Sequence, residues 1–240
     1  MNRERAGTPV ELERIVAGLV EQVERRFWGK YRGRVVDNED PARLGRLRVS
    51  VPSVLGPDVV TGWASPCAPY GGAADQGMFF IPERKAGVWI EFEEGDLEFP
   101  IWVGTYWSRP DDGSEVPLAN AAADASEAAE PQQVPTRKTI KTLKGHTLQF
   151  EDADKAEAIL LYEGVNGHLV TLDKNGIAVL DGFGNEVVLS KDGIRLTDLT
   201  GNEISMTGDA LTIIAKKDLT IDATGKKVQI IASAIDLTKG

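Results

Sequence analysis

Residues 177–206 read IAVLDGFGNEVVLSKDGIRLTDLTGNEISM, and this stretch decides the fold of the C-terminal part of the chain. Apolar side chains recur in it as pairs whose members are two residues apart, and such pairs continue to residue 237. The first members of successive pairs are seven to ten residues apart, with a mean just above eight. The pairs are Ile177/Val179, Val187/Leu189, Ile194/Leu196, Ile204/Met206, Leu211/Ile213, Leu219/Ile221, Val228/Ile230 and Ile235/Leu237.

A spacing of two places both members of a pair on one face of a β-strand. Six of the eight residues that lie between the members are polar, as expected for a face that points outward. Glycines recur with the pairs at steps of eight or nine residues and indicate turns; they are Gly167, Gly176, Gly184, Gly193 and Gly201. Each unit is therefore predicted to be a strand of three or four residues followed by a turn.

One such unit is too small to be stable alone. Burying a large aliphatic side chain contributes ~1.5–3 kcal/mol, whereas ordering eight residues costs on the order of 8–16 kcal/mol. The units must therefore share a core. Three chains wound about one axis would supply it, each forming one wall of a triangular prism with its strand edges paired to other chains. The sixteen residues above are then the predicted trimer core, and a single-chain antiparallel meander or solenoid is the alternative.

Two segments outside the repeat show no strand pattern. Residues 1–29 carry apolar side chains at spacings of three and four, which predicts an amphipathic helix. Thr8 is its expected cap, Gly29 its expected stop, and Phe27 the last residue of its apolar stripe. The pattern leaves open whether this helix packs on its own domain or on a neighbour. Residues 108–138 offer almost nothing large to bury and predict a linker.

Residues 30–107 change to a period of two, and the repeat then occupies residues 139–240. The strand candidates in the first of these regions are Tyr31–Val36, Arg46–Val51, Val59–Ala64, Met78–Ile81, Val88–Phe92 and Ile101–Gly104. Turn-forming residues separate them, and no helical pattern lies between. Five or six short strands in so few residues predict a small closed barrel.

Three stretches of the barrel region resemble a known family. YRGRVVDN at residues 31–38, followed by GRLRVSVP at residues 45–52, resembles the start of the OB-fold domain of phage baseplate assembly protein V. GWASPCAPYGG at residues 62–72 resembles its central segment, and GVWIEFEEGDLEFPIWVGTYW at residues 87–107 resembles its closing hairpin. The same domain occurs in the cell-puncturing protein of contractile phages and in VgrG-type spikes of type VI secretion systems. The repeat is similar to their C-terminal β-helix.

The resemblance implies a mainly β chain with an OB-fold barrel, a trimeric intertwined β-helix and a short N-terminal helix. It implies a homotrimer, the spike at the baseplate tip of a contractile phage tail, tailocin or contractile injection system, which pierces the target envelope mechanically. No hub domain precedes the barrel and the chain ends within the repeat, so a separate hub protein and a PAAR-type tip protein are the expected partners. The rival class is an OB-type binding module on a β-solenoid that recognises glycans or partner proteins.

No catalytic, cofactor-binding or metal site is expected, and the protein is predicted not to be an enzyme. Five carboxylates lie within eight residues, but they surround a hairpin turn where water solvates them, which disfavours glycosidase chemistry; they are Glu91, Glu93, Glu94, Asp96 and Glu98. His146 and His168 have no second cysteine nearby, so a metal site is not expected. Cys67 lies in an apolar run and is expected to be buried.

The aromatic residues of the barrel region and the net charge together disfavour nucleic-acid binding. A stacking surface on an OB barrel is conceivable, but core or trimer contacts are preferred for these aromatics, which are Trp63, Trp89, Trp102, Tyr106 and Trp107. The net charge of −10 disfavours both nucleic acid and anionic lipid. The N-terminal residues lack the apolar region of a signal peptide, and the single cysteine fits a reducing compartment. Assembly in the cytoplasm and action outside the cell or at the target envelope are therefore expected.

Overall fold

The computed structural model describes residues 9–24, 26–110, 113–121 and 132–238. The chain is mainly β, as the sequence predicted, and it divides into two units, residues 1–116 and residues 117–240. The first unit contains a helix and a small barrel, and the second contains one long antiparallel sheet. Among the described residues, no helix is both long enough and apolar enough to cross a membrane.

Helix α1 spans Pro9–Glu24. Its described side chains are all exposed, and the apolar ones among them include Leu12 at 64% and Ile15 at 57%. Residues 26–30 are not helical, so the helix ends before the expected stop at Gly29, and Thr8 lies outside the described residues. Phe27, predicted to be part of the helical stripe, instead packs edge-on against the ring of Tyr31, with the ring centroids 6.2 Å apart.

Five strands form the sheet of the first unit. They are β1 (Tyr31–Asp37), β2 (Arg48–Ser50), β3 (Ser65–Pro66), β4 (Gly87–Phe92) and β5 (Pro100–Tyr106), with a short helix α2 (Pro52–Leu55) after β2 and a 3₁₀ turn (Glu93–Gly95) after β4. Their order is β2-β1-β4-β5-β3. Leu47 bridges to Ala64 and Ser50 to Val60, so the segment that leads into β3 also pairs beside β2. The sheet therefore curls round on itself into a barrel.

The barrel core follows from the alternation along the strands. In β4, Val88 and Ile90 point inward and are fully buried, whereas Trp89 between them points outward and is half-buried. The buried apolar residues of the core are Val35, Leu47, Val49, Val51, Ala64, Val88, Ile90, Phe92 and Trp102. The indole N–H of Trp102 donates to the carbonyl of Gly45 at 3.1 Å, which satisfies its one polar atom inside the core.

Leu47 and Leu44 provide a matched test of this core, because Leu47 is fully buried and Leu44 is 61% exposed. Truncating a buried leucine removes contacts and leaves a cavity, so we expect Leu47→Ala to lower the free energy of unfolding by about 2–5 kcal/mol. All five tryptophans lie between residues 28 and 107, so their fluorescence during urea unfolding reports on the barrel. Leu44→Ala should change stability by less than ~0.5 kcal/mol. Equal losses from the two variants would contradict this core.

Two predicted strands of the barrel are wrong. Val59–Ala64 makes isolated bridges rather than a strand, and Met78–Ile81 forms no strand. The chain leaves the sheet after Pro66, and every residue from Cys67 to Phe80 is exposed. The expectation that Cys67 is buried is therefore also wrong: its apolar neighbours lie in an exposed loop rather than in a strand.

Nine strands of five residues each form the sheet of the second unit. They are β6 (Arg137–Lys141), β7 (Thr147–Glu151), β8 (Ala158–Tyr162), β9 (Leu169–Asp173), β10 (Gly176–Leu180), β11 (Glu186–Ser190), β12 (Gly193–Thr197), β13 (Glu203–Thr207) and β14 (Ala210–Ile214). Each strand pairs antiparallel with the strand before it, in chain order. Two-residue turns join β9 to β10, β11 to β12 and β13 to β14, whereas turns of five or six residues join the others.

This pairing corrects one expectation from the sequence. Strands were expected to pair between chains, but from residue 137 to residue 214 they pair with one another in an antiparallel meander. Periodicity could not separate the two arrangements, because both require the same alternation along each strand. The described tail, residues 215–238, contains no strand.

Asn120 belongs to the segment predicted to be a linker, yet it is only 3% exposed. Its backbone N–H donates to the side-chain oxygen of Gln149, and its side-chain oxygen accepts from the hydroxyl of Thr147. Both partners lie in β7, so Asn120 fixes this part of the segment against the first strands of the sheet. The composition of the segment gave no sign of this contact, because it is polar rather than apolar.

Candidate functional site

The apolar pairs of the sheet lie on one face, in register from strand to strand. Val187, for example, is opposite Val179 on one side and Leu196 on the other, and Leu196 is in turn opposite Ile204. The face is called the apolar face below; its residues are Ile140, Leu148, Phe150, Ile159, Leu161, Val170, Leu172, Ile177, Val179, Val187, Leu189, Ile194, Leu196, Ile204, Met206, Leu211 and Ile213. The ten predicted core residues between Ile177 and Ile213 all belong to it.

The apolar face is uncovered in the single chain. Exposure is 40% at Ile177 and reaches 63% at Leu211, and only Leu148, Val170 and Val187 are half-buried. The opposite face is mixed: Arg195 and Thr212 are exposed on it, whereas Ser205 and Leu160 are buried. A contiguous apolar surface of nine strands is far larger than isolated exposed side chains and marks an interaction surface.

Seven residues of the apolar face precede those that the sequence predicted. They are Ile140, Leu148, Phe150, Ile159, Leu161, Val170 and Leu172. Three pairs among them have the same spacing of two, so the signal was present in the sequence. The interaction surface therefore extends over the whole sheet.

The six predicted core residues after Ile214 lie in the tail and are exposed; they are Leu219, Ile221, Val228, Ile230, Ile235 and Leu237. Leu237 is the most exposed of them at 93%. The structure therefore places ten of the sixteen predicted residues together on one face, and it leaves these six without a strand.

A ladder of hydrogen bonds stacks the longer turns along one edge of the sheet. His146 Nδ1 accepts from the backbone N–H of Gly164 at 3.3 Å, and His168 Nδ1 accepts from Gly182 at 3.0 Å. Asn185 Oδ1 accepts from the N–H of Leu199 at 3.1 Å. Asn202 Oδ1 likewise accepts from the N–H of Lys216 at 2.8 Å. The two histidines, considered from the sequence only as metal ligands, thus occupy the same structural position as the two asparagines.

Two of the three five-residue turns are also closed by the carboxylate of their first residue. The carboxylate of Asp198 accepts from the side-chain amide of Asn202, from the hydroxyl of Thr200 and from the backbone N–H groups of both. Asn202 and Thr200 thereby hold the pKa of Asp198 at about 2, below its ordinary value of 3.8. In the preceding turn, Asn185 lowers the pKa of Asp181 in the same way.

The lowered pKa of Asp198 gives a pH-dependent prediction. Because the folded form binds the proton more weakly than the unfolded form, this contribution to stability is complete above about pH 4 and disappears as the pH falls through about 2. We expect Asp198→Asn to lower the midpoint of thermal unfolding at pH 7, measured by far-UV circular dichroism, since Asn would set two amide donors against each other. The difference from wild type should shrink as the pH approaches 2. Asp192→Asn, in an exposed two-residue turn, is the control. A loss that does not depend on pH would contradict this role of the carboxylate.

The five carboxylates near the β4–β5 turn do not converge on a pocket. The ammonium of Lys30 pairs with Glu91, and Arg26 pairs with Asp96 at 3.4 Å. Glu93, Glu94 and Glu98 are exposed. Throughout the described ranges, no group of three or more His, Cys, Asp or Glu side chains is placed to hold a metal ion.

Asp40 has the most perturbed carboxyl group of the barrel, and its role is structural. Its side chain is 3% exposed and accepts from the guanidinium of Arg46 and from the backbone N–H groups of Ala42 and Leu44. The hydrogen bonds from Arg46 hold the pKa of Asp40 well below its ordinary value. These bonds close the loop between β1 and β2.

The aromatic residues of the barrel are divided between its core and its surface. Trp102 lies in the core, whereas Trp107 is 61% exposed. The rings of Trp89 and Tyr106 lie 5.2 Å apart, and the guanidinium of Arg32 covers both. The expectation of core or trimer contacts thus holds for Trp102 as a core residue, and for the others it stays a prediction.

Among the described residues, a small barrel is followed by a strand repeat whose uncovered apolar face marks a surface for protein assembly. Residues 31–107 match the family described as the type VI secretion system/phage-baseplate injector OB domain. This match covers about one third of the chain and confirms the predicted resemblance to the family of baseplate protein V and VgrG-like proteins. The family is a structural one, which supports a role in a baseplate. No curated protein matches the chain.

Proposed function

We propose that three copies of the chain form the central spike of a contractile phage tail, a tailocin or a contractile injection system. The observation that carries this proposal is the uncovered apolar face, which extends over all nine strands of the sheet. In a three-walled prism each apolar face points to the axis and is covered by the other two. Fourteen side chains that are exposed in the single chain become buried there, which is the main driving force for association.

The tail supports the same arrangement. The two five-residue turns that precede β11 and β13 begin with Asp181 and Asp198 and end with Asn185 and Asn202. The equivalent positions after β14 are Ala215 and Leu219, which lack the side-chain oxygens that close such a turn. The chain therefore does not fold back onto β14. Its three apolar pairs find their strand partners in the other two chains, which gives the intertwined part of the predicted β-helix.

The ends of the spike contact other proteins of the particle. The injector OB domain supports a position at the baseplate, where the three barrels bind a separate hub protein. A PAAR-type tip protein covers the opposite end, beyond the tail. Assembly takes place in the cytoplasm as part of the tail or tail-like particle, and the spike acts outside the cell or at the target envelope.

The function is mechanical rather than catalytic. Force from sheath contraction is carried along the prism and penetrates the target envelope. Every strand between β7 and β13 is hydrogen-bonded on both edges, so an axial load is spread over many backbone hydrogen bonds. The sixteen predicted residues, from Ile177 to Leu237, form the core that holds the three chains together.

Sedimentation of the purified full chain tests the proposal. We expect an elongated trimer that resists dissociation by SDS. A compact monomer would contradict it and would favour the alternative, an OB-type binding module on a single-chain solenoid that recognises glycans or partner proteins. The intrachain pairing of all nine strands is the observation that keeps this alternative open.

A further inference from the structure

The two outer strands of the nine-stranded sheet differ in charge. At one end of the sheet, β6 carries Arg137, Lys138 and Lys141 among its five residues. Charged side chains on an outer strand oppose pairing with a further strand, and proteins use them to protect sheet edges. At the other end, β14 has the sequence ALTII, which contains no charge and no proline, and all five of its residues are exposed. The outer edge of β14 is therefore open to a further strand.

The backbone groups that a further strand would bind follow from the turn before β14. This turn has two residues, so Thr207 and Ala210, which flank it, form a hydrogen-bonded pair. Bonded and non-bonded pairs alternate from there, so the N–H and C=O groups of Leu211 and Ile213 point away from β13. Among the described strands, none lies beyond β14 to bind them. These groups form the β14 edge named below.

The tail contains a segment that matches the β14 edge. Residues 211–213 of β14 read Leu-Thr-Ile, and residues 219–221 repeat the same three residues. The carboxylate of Asp222 accepts from the backbone N–H of Thr224 at 2.8 Å and from its hydroxyl at 2.6 Å, which ends this segment in a turn. Residues 218–222 thus have the five-residue length of the strands in the sheet, and they are exposed without strand pairing in the single chain.

The two segments align like residues in either strand direction. If Thr220 lies opposite Thr212, then Leu219 and Ile221 lie beside the two apolar residues of β14, whether the strands run parallel or antiparallel. The apolar face then continues by one strand, and the two threonines meet on the opposite face. Cross-strand threonine pairs are favourable. Residues 218–222 are therefore a suitable strand for the β14 edge.

The connection after β14 does not favour a return of the same chain. Only Ala215, Lys216 and Lys217 separate β14 from the segment, and a hairpin loop of three residues normally has glycine at its left-handed position. Every turn between β6 and β14 contains Gly, Asn or Asp, whereas this connection contains none of them. The side-chain oxygen of Asn202 instead binds the N–H of Lys216 where the chain leaves the sheet. The strand for the β14 edge is thus expected from a second copy.

We propose that the β14 edge of one copy pairs with residues 218–222 of a second copy. This inference rests on the trimer proposed above, and it locates the change from pairing within a chain to pairing between chains at this edge. Each copy has one open edge and one strand to donate, so the contact is heterologous, and a closed ring of three copies satisfies all of them. The contact also covers an uncharged edge that would otherwise promote aggregation.

Pairs of cysteines in the full chain test this contact. Cys67 is exposed, so every variant carries Cys67→Ser. Thr212→Cys and Thr220→Cys are combined in one chain, because their alignment does not depend on strand direction. The control combines Thr220→Cys with Thr139→Cys, which lies in the middle of the charged strand β6. Each variant is sedimented, treated with a short bismaleimide, and boiled in SDS and urea before electrophoresis.

In trimeric protein, the first variant should form covalent dimers and trimers on the order of tenfold more than the control, because two thiols held together react as if at high concentration. Chains with Thr212→Cys alone, coexpressed with chains that carry Thr220→Cys alone, should give covalent dimers, which a contact within one chain cannot produce. Trimeric protein that is not linked, is linked only within single chains, or is linked equally in both variants would overturn the pairing and leave the trimer standing. A monomer in sedimentation would overturn both.

Discussion

Replacing Ile204 with aspartate should leave the chain unable to form trimers. Ile204 lies on the apolar face in β13, opposite Leu196 on one side and Ile213 on the other. In the proposed prism the substitution places three carboxylates around one axis, in a space lined by aliphatic side chains. A buried, unpaired charge costs several kcal/mol even after the protein relaxes, and like charges at one level repel each other. Sedimentation should therefore show monomers or soluble aggregates in place of an elongated trimer.

Thr212→Asp is the matched control for this substitution. Thr212 lies on the polar face of the neighbouring strand and is exposed, so the same carboxylate there remains in water. We expect this variant to form trimers that resist SDS as the wild type does. Ile213→Asp repeats the test one strand away, on the same face as Ile204. Normal trimers from both apolar-face variants would show that this face does not point to a shared axis.

The apolar face could be predicted from the sequence because of a simple property of strands. Successive side chains alternate between two faces, so a spacing of two is enough to group Ile194 with Leu196 and Ile204 with Met206. Turns with glycine, aspartate and asparagine then mark where each strand ends. Neither inference depends on knowing which strand pairs with which.

The sequence did not predict which strands pair with each other. Backbone hydrogen bonds join strands irrespective of their side chains, so the same alternation fits strands of one chain or of three. The decisive information lies in the turns. Asp181 with Asn185, and Asp198 with Asn202, close turns that return the chain onto its own sheet. The role of His146 and His168 in the turns could not be predicted either, because a ring nitrogen that accepts one backbone N–H leaves no local sequence pattern.

In the barrel, strands with clear alternation were predicted correctly, whereas a loop rich in apolar residues was predicted to be a strand. Gly87–Phe92 and Pro100–Tyr106 alternate, and both form strands close to the predicted bounds. Met78–Ile81 is apolar without alternating, and Phe79 in it is 72% exposed. A run of apolar residues shows a preference for burial, but it does not show which partner covers it. Cys67 was placed wrongly by the same error.

Gly193→Ala should disrupt the sheet strongly. Gly193 begins β12 with a φ of 137°, a backbone conformation that L-residues rarely adopt. An added Cβ would also lie 1.8 Å from the carbonyl oxygen of Met206 in β13, far inside contact distance. Backbone strain alone costs about 1–3 kcal/mol, and the clash forces β12 and β13 apart. We expect a loss of more than about 3 kcal/mol per chain, seen as a lower midpoint of thermal unfolding in far-UV circular dichroism and as loss of the trimer.

Gly208→Ala is the control that tests backbone strain without a steric clash. Gly208 also has a positive φ, of 57°, but no heavy atom lies within 4 Å of the position of its added Cβ. Its cost should be about 1–2 kcal/mol, from the left-handed conformation alone. Gly176→Ala repeats the clash one hairpin earlier, where the added Cβ would lie 1.9 Å from the carbonyl oxygen of Leu189. If the close approach of neighbouring strands is what requires glycine at these positions, then Gly176→Ala and Gly193→Ala must both lower the stability far more than Gly208→Ala does. Three equal effects would mean that backbone strain alone explains the glycines, and the spacing of β10 to β13 would have to differ from that described.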